Sequence, residues 1–403
     1  MRLEIQQKPP AKPRPAVRLD LDERPTLVIG PVRLSPRAAF RAQMLRSDAP
    51  LDKETESQID LAKRRVGFEG SVSDYVDFQV EYEIDDPDPW RDVFVNVRPL
   101  REVQVRYGKF KLPFGLEENT GSANLDFAYR SLASRAIAPG RDRGIMAHGE
   151  VLDRFVQYEV GQFEHDGANA ATRSSEKVTG EETRAIRVTV SPLRRLRDAI
   201  DDMTVGIAWT EGELGGEGLS SVRLPTTLGN DFWRTAWTVK GNRTRQGIEA
   251  RWRPGPFSVS AESMRLTEER LEMSVEDAAL APIVTSGWYV SGTWAVTGDD
   301  KEDGLTATKH PIGKGIGAIE LAGRLENLRV DSGSAEAPSL SPRAETIVGN
   351  SIRAITFGVN WYLNRWLKVQ ANLVRETIED PAQGPLPSQA SYWGRAIRIQ
   401  FSL

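Results

Sequence analysis

The feature that most constrains this chain is an alternation of apolar and polar residues with a period of two, repeated from about Arg37 to Leu403. In the stretch from Tyr75 to Ile84, Val76, Phe78, Val80, Tyr82 and Ile84 are apolar, while Asp77, Gln79, Glu81 and Glu83 are polar. A β-strand turns successive side chains to opposite faces, so this pattern describes strands with one apolar face. The split recurs with Ile248, Ala250 and Trp252, and with Leu367, Val369, Ala371 and Leu373. It closes the chain with Ile397, Ile399, Phe401 and Leu403 set against Arg398, Gln400 and Ser402.

The number of repeats decides the architecture. Joints rich in Gly, Asp, Asn and Pro, drawn from 34 glycines and 24 prolines, separate roughly sixteen strands of about 8 to 12 residues, the length of a tilted membrane strand. An even number suits a closed antiparallel barrel, so the expected fold is all-β, a transmembrane antiparallel β-barrel. The longest uncharged run, from Ala278 to Gly298, is interrupted by Gly, Pro, Ser and Thr and alternates, which argues against a membrane helix. A soluble β-sandwich alternates too and stays open as a second reading, but its polar face rarely carries several full charges per strand. Tyr75, Trp90, Trp209, Trp288, Trp361, Tyr362, Trp366, Tyr392 and Trp393 lie near strand ends, where a barrel places its aromatic girdles.

Two stretches break the rhythm: Lys111 to Arg141, too long for a hairpin turn, and Gly212 to Asp231, Gly-rich and irregular. The first can fold inward and narrow a lumen, or stand outside as an external loop. Residues 1–30 are expected to form a polar, proline-rich leader or periplasmic arm, and residues 31–403 the barrel. Met1 to Pro15 carries Lys8, Lys12 and Arg14 without an apolar core and does not read as an intact signal peptide.

Signals for covalent chemistry are weak. The chain has no cysteine, and His148, His165 and His310 show no metal-ligand spacing. Gly313, Gly315 and Gly317 depart from a phosphate-cradling fingerprint, and Asp85, Asp86 and Asp88 read as a solvated turn. Neither enzyme activity, a cofactor nor a metal is expected. A formal net charge of −4 gives no reason to expect nucleic acid as a partner.

Strand parity supplies the positive lead. It puts Arg37, Arg41, Lys63, Arg65, Arg98, Arg106, Arg187, Arg251, Arg253, Arg324, Lys368 and Arg398 on the polar face, which in a barrel lines the lumen. Of these, Arg65, Arg106, Arg187, Arg251 and Arg398 are taken as pore-lining candidates, because rings of Arg and Lys in a narrow pore favour anions. Asp77, Glu81, Glu83, Glu159, Glu249, Glu262 and Glu320 share that face. A wall neutralised by ion pairs between strands therefore remains open.

Four motifs then occur in order. They are IDLAKRRVGFEG at Ile59 to Gly70, RYGKFKLPFGLE at Arg106 to Glu117, YRSL at Tyr129 to Leu132 and APGRDRG at Ala138 to Gly144. With FGVNWYLN at Phe357 to Asn364 and the aromatic-Gly-apolar tail from Tyr392, they resemble the phosphate-selective porin O/P family. Leu403 stands where that family usually ends in Phe. The resemblance implies a sixteen-stranded barrel of the bacterial outer membrane, often a homotrimer in contact with outer-membrane lipid, whose third loop constricts the lumen. It assigns residues 111–141 to that constriction and adds Lys109, Arg130, Arg135 and Arg141 to the pore-lining candidates. The implied function is passive diffusion of small anions such as phosphate, with a general or carbohydrate-type porin as the alternative.

Overall fold

The computed structural model describes residues 17–20, 24–49, 59–167, 180–193, 202–219, 224–228, 231–233, 237–274, 278–302, 308–332 and 347–403. Strands β1 (Val17–Asp20) and β2 (Thr26–Ile29) pair with each other, and β2 pairs with the start of β3 (Val32–Ser47). Residues 17–20 and 24–29 of the expected leader thus extend the sheet, while 1–16 lie outside the described residues. The wall continues through β4 (Asp60–Val72), β5 (Val76–Glu83), β6 (Trp90–Val97) and β7 (Gln104–Lys111). After two short helices come β8 (Arg141–Val151), β9 (Val156–Phe163), β10 (Gly180–Val190) and β11 (Met203–Leu219). A small hairpin, β12 (Leu224–Pro225) and β13 (Asp231–Trp233), precedes β14 (Thr238–Trp252), β15 (Phe257–Arg270) and β16 (Leu280–Ala295). The last strands are β17 (Ala318–Asp331), β18 (Asn350–Tyr362), β19 (Leu367–Ile378) and β20 (Ser391–Ser402).

Each of these strands, from β3 onward and leaving out β12 and β13, pairs antiparallel with the next. The last pairs back onto the first, Phe401 opposite Phe40, so sixteen strands close a barrel. Closure pairs each of these sixteen strands on both sides, as the absence of water in a bilayer core requires, and leaves only β1 as an edge beside the start of β3. Turns at 73–75, 98–103, 152–155, 253–256 and 363–366 are short. They share one end with the start of β3 and the end of β20, the periplasmic end of such barrels.

Burial runs opposite to that of a soluble protein. On β20 the apolar Ile397, Ile399 and Phe401 are 47%, 50% and 36% exposed, whereas Arg398 and Gln400 are 2% and 4% exposed. The same inversion sets outward Tyr82 against inward Glu81 and Glu83 on β5. An outer face this apolar is stable against lipid, not water, which disposes of the soluble reading. The irregular stretch expected from Gly212 is partly strand: β11 runs to Leu219 and keeps its pairing with β14 through a register shift between Leu214 and Gly218. Its glycines weaken the alternation without breaking the ladder.

Candidate functional site

The segment between β7 and β8 enters the barrel and packs against the inside of one wall. It carries α1 (Leu116–Asn119) and α2 (Leu132–Ile137), the latter capped by Ser131, whose hydroxyl accepts from the Ser134 amide at 3.2 Å. Inward polar side chains take up the loop's backbone groups, which explains why charges on those strands tolerate burial. Glu262 on β15 accepts from the amides of Leu116 and Glu117 at 2.6 and 2.9 Å and from the Tyr289 hydroxyl at 2.7 Å. Glu326 on β17 accepts from the Leu132 amide at 2.6 Å. Asn372 on β19 accepts from the Ala128 amide at 2.7 Å, and Lys368 donates to the carbonyls of Ala123 and Leu125, both at 2.9 Å. Gly287 on β16 makes room for α2, since a Cβ there would meet that of Ala133 at 2.8 Å.

The loop therefore lies against β14–β20 and leaves space on the other side. A cavity of about 500 Å³ separates it from the wall of β3–β9. Eight cationic side chains line it, those of Arg24, Arg37, Lys63, Arg65, Arg106, Lys111, Arg130 and Arg141. Only three carboxylates do, those of Glu81, Asp92 and Glu159. A second space of about 310 Å³ is lined by Arg41, Arg91, Glu83 and neighbours. The two share Lys63, Arg65 and Ser122 in their linings, so they adjoin where β4 faces the loop tip.

Some of these cations are neutralised in place. Arg65 pairs with Glu81 and Glu83 at 2.9 and 2.8 Å, Arg37 with Glu81 at 2.7 Å, and Arg141 with Asp92 at 2.7 Å. Two are not. Lys63 Nζ donates to the Ser122 hydroxyl at 2.5 Å, and the Arg106 guanidinium lies 4.6 Å from the Phe94 ring centroid. Neither makes an ion pair among the described residues, and Arg106 Nε has no hydrogen-bond partner there. With no contact ion pair to hold them, these two charges add to the excess of cations around the cavity, which favours an anion between low-dielectric walls.

The candidates from the sequence divide accordingly. Arg65, Arg106, Arg130 and Arg141 line the one cavity. Arg130 does so from the loop itself, held by Glu118 at 3.0 Å and by the carbonyl of Glu117 at 2.8 Å. Arg135 turns away and donates to the carbonyls of Thr226 and Thr227. Lys109 shares the outward face of β7 with Tyr107 and reaches Asp88 at 2.5 Å. Its odd position, out of phase with inward Arg106 and Phe110, already carried that information. Arg187 is buried between Glu159 and Glu249 at 2.8 and 2.5 Å. Arg251 lines a smaller space of about 50 Å³ on the far side of the loop. Arg398 lies over the Tyr129 ring, its centroid 5.1 Å away, and donates to Gln43 at 2.7 Å. Burial pushes the Tyr129 phenol up to about 12, so it stays neutral beside that guanidinium.

Arg24, Arg37, Lys63 and Lys111 line the cavity although they were not among the pore-lining candidates, and strand parity had already put Arg37 on the polar face. Lys63 was legible from its parity with Arg65. Arg24 was not, because it precedes β2 in the supposed leader and enters the cavity through its pairing with Glu69.

Comparison with known proteins accords with this architecture. The chain is 24% identical to Porin O of Pseudomonas aeruginosa over 300 residues, 68% of this chain and 65% of that protein, and so spans less than two thirds of that relative's length. Its fold is similar to OmpT of Vibrio cholerae in its trimer form, with a TM-score of 0.56, 13% identity and coverage of 92% of this chain and 99% of that one. It is also similar to the outer membrane channel DcaP of Acinetobacter baumannii, with a TM-score of 0.55, 8% identity and coverage of 92% and 97%. Residues 40–402 match the family model for phosphate-selective porin O and P. With that match over nearly the whole barrel, this outer-membrane β-barrel belongs to the phosphate-selective porin O and P family.

Proposed function

We propose that the barrel is a porin through which small anions, phosphate among them, diffuse passively between the inward loop and the wall of β3–β9. One observation carries the reading: eight cationic side chains against three carboxylates around the cavity, with Lys63 and Arg106 unpaired among the described residues. Guanidinium forks match phosphate oxygens, and the remaining cations line the same cavity, where transient contacts can release an ion as well as bind it. The path calls for no covalent step and no cofactor. The family supports anions as solutes, and the trimer form of OmpT supports a homotrimer here.

A general porin of weak selectivity is the second reading, favoured by the ion pairs that spend Arg37, Arg65 and Arg141 on Glu81, Glu83 and Asp92. The reversal potential of the purified protein in a planar bilayer under a chloride gradient, repeated with added phosphate, separates the two. An anion-selective potential with phosphate reducing the chloride current is expected. A potential near zero, or a cation-selective one, would leave the general porin.

A further inference from the structure

The outer face of the barrel carries charges where lipid should lie. Arg46 on β3, Arg395 on β20, Arg375 on β19, Arg353 on β18 and Arg329 on β17 all share the outward face and are exposed. They occupy five consecutive strands. Arg46 and Arg395 are direct cross-strand partners. From Arg395, which faces Leu373, the next arginine on β19 is two residues further toward the long-loop end. Arg353 and Arg329 are offset in the same way from the partners of Ile355 and Asn327. Diagonal neighbours of this kind lie about 7–8 Å apart.

The row follows the upper edge of the apolar band. The lower edge is aromatic, with Trp294 on β16, Trp361 on β18 and Phe401 on β20, and it is staggered along the register in the same sense as the arginines, as strand tilt dictates. Between Arg353 and Trp361 the outward residues are Ile355, Phe357 and Val359. Eight residues of tilted strand span about 20 Å, close to the roughly 25 Å of a barrel's apolar band. The arginines therefore stand at the headgroup level of the outer leaflet.

Carboxylates account for Arg329 alone among the described residues. Asp331 and Glu379 pair with Arg329 at 3.1 and 3.0 Å, and Asp48 accepts from the Trp393 amide. Arg46, Arg353, Arg375 and Arg395 make no ion pair among the described residues, Arg375 instead approaching the Trp393 ring. By contrast, on the opposite side of the barrel outward Arg143 pairs with Glu164 and outward Lys109 with Asp88. Like charges opposite each other across a ladder, as in Arg46 and Arg395, repel unless a counter-ion sits between them.

We propose that this row binds the phosphate groups of an anionic glycolipid of the outer leaflet, with the acyl chains lying on the apolar band beneath. Guanidinium groups bind phosphate through paired N–H donors, and the adjoining apolar surface suits a lipid over a free phosphate ion.

The test is retention of bisphosphorylated lipid A by the purified protein, read by native mass spectrometry for the wild type and for R353Q/R375Q/R395Q. Each basic residue near an anionic headgroup contributes about five-fold, so retention should fall roughly 100-fold. Conductance and reversal potential, which depend on the opposite face of the wall, should not change. Dephosphorylated lipid A should bind the wild type as weakly as lipid A binds the variant. Undiminished retention in the variant, or equal retention of the dephosphorylated lipid, would overturn the proposal. Undiminished retention with loss of the oligomer would reassign the row to contact between copies of the chain. If the triple variant does not show the heat-dependent gel shift of a folded barrel, R395Q and R353K/R375K/R395K carry the test. The first should lose about five-fold and the second should keep binding, and equal retention by both would reject the proposal.

Discussion

Arg187 and Arg106 both point inward from neighbouring parts of the wall, yet their surroundings give them different work. Arg187 is 11% exposed at its side chain and is shared between Glu159 and Glu249, so its charge is cancelled within the wall. Removing it would strand those carboxylates. Arg187→Ala should cost about 3 kcal/mol of stability, measured by denaturant unfolding, and leave ion selectivity nearly unchanged. Arg106 rests on Phe94 without a carboxylate, and Lys63 on a hydroxyl, so their charge reaches the cavity. Lys63→Glu and Arg106→Glu should each shift the reversal potential toward cations, while Arg135→Ala should not, since Arg135 holds carbonyls outside that cavity. An unshifted potential in both charge reversals would remove the basis for the anion path.

The inward loop owes its position to side chains far from it in sequence. Ala128 bonds to Asn372 and Leu132 to Glu326, contacts spanning 244 and 194 residues. Glu262 takes two amides of α1 and the Tyr289 hydroxyl at once, so one carboxylate orients the start of the loop. Glu262→Leu should free that end. Single-channel recordings should then show larger and noisier open conductance, with stability lowered by about 1–3 kcal/mol for the amides left unpaired. A quiet channel of unchanged conductance would mean that α1 is held by its other contacts. The bounds of the loop, 111–141, could be read from a break in alternation and from motif order. The side of the barrel it packs on could not, because inward parity is the same for all strands. Arg324, Lys368 and Arg398 accordingly read as lumen cations, whereas two of them bond the loop's carbonyls and the third lies against Tyr129.

At the scale of the molecule, stability rests on an apolar exterior in lipid and a polar interior tied to a loop. Phe357 is 62% exposed and lies midway between Arg353 and Trp361, near the centre of the apolar band. Phe357→Lys should cost about 2–4 kcal/mol when unfolding is measured in lipid vesicles, as a charge at the bilayer midplane requires. A negligible cost would place that strand against another subunit or outside the membrane.

What the sequence determined by itself is what depends on local chemistry repeated many times. The period of two, the even count of strands and the concentration of charges on one face leave a closed membrane barrel as the architecture that buries no unpaired backbone. Parity likewise determined which arginines point inward, and it would have placed Lys109 outside. What only the tertiary structure decided is which inward charges are spent and which are free. That depends on distances between strands hundreds of residues apart, as between Arg41 and Gln400. It depends also on the loop, which covers the cations of β14–β20 and leaves those of β3–β9 facing open space. Lateral order around the outer face is of the same kind: five arginines that are scattered in the sequence become one row only when antiparallel register brings their strands side by side.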